Sequence, residues 1–164
     1  MYTEPTPLKE LMNHFPQAGE VIWIGLRTAT RQMIEVVDET HARIGTGLDG
    51  DRYKGNADSK RQVTLIQAEH LAAVGSYLGR GIINPSLLRR NIVVQGINLL
   101  ALKDHRIQIG EAILEMTGLC HPCSRMEEVL GPGGYNAMRG HGGITARVLQ
   151  EGSIKNGDKI TVIG

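Results

Sequence analysis

Short apolar runs separated by glycine constrain this chain more than anything else in it. "VIWIGL", "VTLIQ", "NIVVQ", "RIQI", "AILEM", "ARVL" and "KITVI" are rich in β-branched residues, and most have a Gly, Asn or Asp within a few residues of an end. Runs of this length and composition read as strands, about seven or eight in all. With 21 glycines in 164 residues, the chain turns often. Too few helix-length segments alternate with the strands for a βαβ array. The expected fold is mainly β, a single barrel-like core with short helices at its rim.

The helical signals are few. Leu8, Leu11, Met12 and Phe15 fall at helical spacing, so residues 7–15 read as a short amphipathic helix ended by Pro16 and Gly19. This gives an N-terminal helical extension over residues 1–18 and one domain over 19–164. "AEHLAAVGSYLG" repeats the pattern through Leu71, Val74 and Leu78, and Asn84 before Pro85 has the chemistry of an N-cap. "SRMEEVLG" reads as a helix that stops at "GPGG". "QMIEVVDETHARI" and "TARVLQEGSI" each read as one extended run. Residues 45–62, "GTGLDGDRYKGNADSKRQ", form a long glycine-rich, charged loop of the functional kind.

Composition removes several classes of function. A net charge of +1 with no dominant basic run excludes a general nucleic-acid binder, and 4% aromatics leave little for base stacking. No apolar stretch approaches the ~20 residues of a membrane helix. The first residues, "MYTEPTPLKELMNHF", lack an apolar signal core, so the expected compartment is the cytoplasm.

The chemistry concentrates in "LCHPCSRM", which holds both cysteines, Cys120 and Cys123. Three chemical readings and one bland reading fit the residue types. A structural zinc site wants four Cys or His ligands, and there is no second cysteine pair; His141 is the candidate to complete one. A redox dithiol fits C-x-x-C ahead of a helix, though its usual context is βαβ. A lone thiolate at Cys123, beside Arg125, suits a soft or redox-active metal. The bland reading makes both cysteines small buried hydrophobes. Elsewhere, "LLRRN" places Arg89, Arg90 and Asn91 before a strand, a planar-fork pair suited to phosphate, although most arginine pairs simply face solvent. "GDGDR" with Arg52 and "RGHGG" with His141, Gly142 and Gly143 bring glycines beside charge, where backbone N–H groups can approach an anion. Either loop is equally an ordinary turn. His70 and His105 read as packing or surface residues.

In order along the chain, "GLDGDRYKG", "RQVTLIQAEHL", "LLRRNIVVQGINLLAL", "RIQIGEAILEMTG", "PCSRM" and "GGITARVLQEGSIKNGDKI" resemble the MOSC domain, the module named for the carboxy-terminal part of molybdenum cofactor sulfurase. The likeness covers about residues 19–163 and is nearest to small stand-alone bacterial members. It implies a β-barrel and binding of the molybdenum cofactor, a molybdopterin carrying phosphate. It places the family cysteine on Cys123 and the basic motif on Arg89, Arg90 and Asn91. Tyr53 departs from it, standing where relatives often carry histidine. Two activities follow from the resemblance. In one, Cys123 ligates molybdenum, Arg89, Arg90, Arg52 and Arg125 hold the cofactor, and an N-hydroxylated compound is reduced with electrons from a separate donor protein. In the other, Cys123 carries a persulfide to a metal–sulfur centre. The family's association with pyridoxal phosphate finds no desulfurase-type domain in these residues. A non-catalytic cofactor-binding module is the third expectation.

Overall fold

The computed structural model describes residues 7–28, 33–52 and 59–164. The chain runs through α1 (Pro7–Met12), β1 (Gly19–Leu26), β2 (Glu35–Val37), β3 (Glu39–Arg43), β4 (Gly47–Leu48) and β5 (Val63–Gln67). Then come α2 (Ala68–Tyr77), α3 (Pro85–Leu88), β6 (Ile92–Gln95), a 3-10 turn (Leu99–Leu102), β7 (Arg106–Ile109) and β8 (Ala112–Leu119). The last elements are α4 (Ser124–Leu130), α5 (Gly134–Met138), β9 (Ile144–Gln150), β10 (Gly152–Lys155) and β11 (Lys159–Val162).

Seven strands close into a barrel in the order β11-β7-β8-β9-β5-β6-β1, and β1 returns to β11 through Gly19 opposite Ile160. Closure removes the open sheet edges that would otherwise invite pairing with another chain. The other end of β1 carries β2, while β10, β3 and β4 form a separate small sheet. Every pairing is antiparallel except β5 with β6, whose connection carries α2 and α3. The expected mainly-β barrel in one domain is therefore the observed fold.

Burial explains why β5 and β6 read as unbroken apolar runs. Leu65, Ile92 and Val94 point into the barrel with Val21, Ile24 and Leu114. Ile66 and Val93 point outward into a second core with Leu71, Val74, Met126 and Met138 of the helices. Strands covered on both faces lose the polar half of the alternation. Strand β7 keeps it, with Ile107 and Ile109 buried and Arg106 and Gln108 exposed.

Four local readings need correction. Residues 35–43 hold two strands, because the bend at Asp38 sends β3 to the small sheet. Residues 145–154 also divide, into β9 and β10, with Glu151 between them. The glycines at 131–134 end α4 but start α5: Gly134 lies so close to Met126 O that an added Cβ would sit 2.6 Å away. At the N-terminus α1 ends at Met12 and buries none of its residues, although Phe15 packs on the barrel core.

Candidate functional site

The paired residues Ile24, Ile92, Leu65, Ile144 and Leu119 make one row across five barrel strands. The site residues leave the sheet next to this row: Arg27 after β1, Arg89 to Asn91 before β6, Gly142 and Gly143 before β9, and Cys120 after β8. Residues far apart in sequence are thereby gathered by register alone.

The two cysteines occupy different environments. Cys120 is buried; its N–H donates to Gly143 O at 2.8 Å, and its Sγ accepts from Arg61 Nη2 at 3.5 Å. Cys123 is exposed just before α4, and its carbonyl accepts from Met126 N at 2.9 Å. No disulfide joins them. Among the described residues, no group of three or more His, Cys, Asp or Glu could hold a metal, so the zinc alternative has no donor set there.

Arginines surround the pair. Arg90 is buried, and it donates from Nε to Gly142 O at 2.8 Å and from Nη1 to Leu88 O at 2.7 Å. Among the described residues it makes no ion pair with a carboxylate. Burial pushes its pKa down; the two thiols oppose that shift, while Arg61 and Arg27 add to it. Arg89 sits in a left-handed conformation at φ 56° and is pushed down by partial burial and by the charges of Arg125, Arg52 and Arg27. Asp51 opposes these. Arg27, Arg52, Arg61, Arg89, Arg90 and Arg125 thus share this electrostatic neighbourhood, with Asp51 as an opposing carboxylate.

Asp51 has a fully buried side chain and is a structural keystone. It accepts Arg27 Nε and Nη2 at 3.1 and 2.9 Å, the backbone N–H of Arg27 at 2.7 Å, and Asn91 Nδ2 at 3.1 Å. Asn91 is also fully buried. Its Nδ2 donates to Gly25 O as well, and its Oδ1 accepts the N–H and the hydroxyl of Thr64. Both amide protons are therefore used inward, and Asn91 supports the site without touching a ligand. This differs from the expected contact with phosphate.

The other expected positions divide similarly. Arg52 and Arg125 lie within electrostatic reach of Arg89, and Arg90 within reach of both cysteines. His141 instead stacks on His70 and Tyr77, with ring centroids at 4.6 and 5.4 Å, and its Nδ1 meets Arg139 O at 2.8 Å. His70 and His105 are packing residues as expected, the latter edge-on to Phe15. Gly142 and Gly143 are explained by close backbone approach: an added Cβ would lie 2.0 Å from Cys120 O and from Leu65 O respectively. Tyr53 lies outside the described residues. Arg27, Arg61 and Asp51 were not singled out by the sequence. Only the "GDGDR" loop hinted at the last.

A closed small β-barrel thus carries one buried and one exposed cysteine beside a cluster of arginines. The family model for the MOSC domain matches residues 49–161, and the chain belongs to that family, which is associated with molybdenum cofactor binding. No curated protein sequence matches it. Among solved structures, the YuaD protein from Bacillus subtilis is similar at TM-score 0.75 and 19% identity, with 88% of this chain and 94% of that one covered. YiiM from Geobacillus stearothermophilus is similar at 0.70 and 17%, covering 89% and 75%. YiiM from Escherichia coli is similar at 0.70 and 16%, covering 91% and 71%. These likenesses concern the fold.

Proposed function

We propose that this chain binds the molybdenum cofactor and reduces N-hydroxylated compounds, with Cys123 as the protein ligand of the metal. The observation that carries this reading is Arg90, a buried guanidinium held by backbone carbonyls within a six-arginine cluster. Burying cations without counter-charge is costly, and a bound anion offsets that cost. The donor set fits the group: arginine forks suit a phosphate, and an exposed soft sulfur suits molybdenum.

When bound, the cofactor supplies two-electron chemistry at the metal. The protein's own residues orient and stabilise it. Cys123 would hold the metal from the open side of the site, and Arg89, Arg52 and Arg125 would hold the anionic tail. Arg90 and Arg61 fix the electrostatics around both sulfurs, and Asp51 with Asn91 locks Arg27 in place. The overall step breaks an N–O bond: the hydroxylamine takes up two electrons and two protons, giving an amine and water. The electrons come from a separate donor protein.

The exposure of Cys123 also suits a persulfide carrier, the second reading. Anaerobic turnover separates the two. Cofactor-loaded protein with reduced methyl viologen should convert N-phenylhydroxylamine to aniline, and Cys123→Ser should lose at least about a hundredfold of that rate (~3 kcal/mol). Sulfane sulfur on Cys123, without molybdenum and without turnover, would establish the carrier instead.

A further inference from the structure

A cleft of about 420 Å3 opens beside the cysteine segment, between the 3-10 turn and the end of β8. Leu100, Met116 and Leu119 give it apolar walls, Thr117 lies in its lining, and Lys103 and Asp104 stand at its polar side. Its size lies within the range of small-ligand sites. Leu100 and Leu119 also line a smaller cavity of about 60 Å3 against Cys120, His121 and Pro122, so the two spaces share a wall that leads to Cys120 and the segment just before Cys123. These leucines are 40% and 47% exposed, an apolar surface kept open next to the site.

The polar side is built at a conformational cost. Leu102 O accepts from His105 N at 2.9 Å, closing a turn with Lys103 at φ -53°, ψ 132° and Asp104 at φ 64°. This is a type II turn, whose third position favours glycine. Asp104 and Arg89 are the two non-glycine residues with positive φ among the described residues. One borders the arginine cluster and the other borders the cleft. Strain of this kind persists where the side chain is needed.

We infer that the cleft is the substrate subsite, and that it takes a compact, uncharged organic molecule with a ring-sized apolar body and a hydrogen-bond donor directed at Asp104. Its reducible N–O group would point along Leu119 toward the segment that carries Cys120 and runs on to Cys123; this orientation rests on the reductase reading. Charge separates the two halves of the site. Six arginines select an anion on the cofactor side, whereas adjacent Lys103 and Asp104 cancel and favour a neutral molecule here.

Titration of the purified full chain followed by methyl NMR tests this, because it reads binding without turnover. N-phenylhydroxylamine should shift the Leu100, Met116 and Leu119 methyl signals saturably, and 4-(hydroxyamino)benzoate should bind more weakly. Leu119→Asp, at an exposed position, should weaken binding about tenfold or more while thermal stability holds. Asp104→Gly relieves the backbone strain and keeps the fold, yet should weaken binding about fivefold by removing one hydrogen bond. Shifts confined to other surfaces, or affinity unchanged in both variants, would overturn the subsite. Cleft binding by a protein that never acquires molybdenum would leave the subsite standing and overturn the reductase. A loaded, active protein with a silent cleft would do the reverse.

Discussion

At the scale of single residues, the cysteine pair is asymmetric. Cys120 is walled in by Gly142 and Gly143 and faces Arg61, whereas Cys123 is open to solvent. Asn91 does more for the fold than its sequence context suggests. Asn91→Leu removes the buried hydrogen bonds to Thr64 N, Gly25 O and Asp51, leaving Asp51 with Arg27 alone, and should lower stability by about 3 kcal/mol in denaturant unfolding. Arg125→Ala removes a charge that repels Arg89, so it should leave Tm unchanged or raised, while weakening anion binding. The sequence made Cys123, Arg89 and Arg90 legible because they sit in compact motifs. Arg27, Arg61 and Asp51 stayed hidden because the barrel register, not a local pattern, brings them to the cysteines.

At the scale of elements, apolar runs revealed the strands, and breaks within runs did not. The bend at Asp38 and the break at Glu151 re-route the chain between sheets without an obvious turn signal. Helix α5 was masked by the glycines at its start. Glu127 organises that junction: its carboxylate accepts the N–H groups of Gly133 and Tyr135, both at 3.0 Å. Those bonds hold its pKa below the usual carboxylate value. A lowered folded-state pKa gives stability that is present above the unfolded value and lost as pH falls through the folded one. Glu127→Gln should therefore flatten the acid limb of the stability curve below about pH 4.5, read from melting temperature against pH. Gly143 sits at φ 87° with Leu65 O where a Cβ would be. Gly143→Ala should shift β9 against β5 and cost several kcal/mol, about 3 or more, seen as a lowered urea midpoint.

At the scale of the whole molecule, a net charge of +1 conceals a local excess of arginine. The overall charge says nothing of an anion site, which is why composition argued against a general nucleic-acid binder without indicating a cofactor. The barrel supplies rigidity, its register assembles the cluster, and the cleft adds a neutral pocket beside it. The most direct measurement is molybdenum and pterin content of the chain purified anaerobically from a cofactor-competent host, compared with Cys123→Ala and Cys120→Ala. Near one molybdenum and one pterin per chain are expected in the wild type, with molybdenum lost in Cys123→Ala and kept in Cys120→Ala. A wild-type protein free of both, or loss confined to Cys120→Ala, would contradict the assignment.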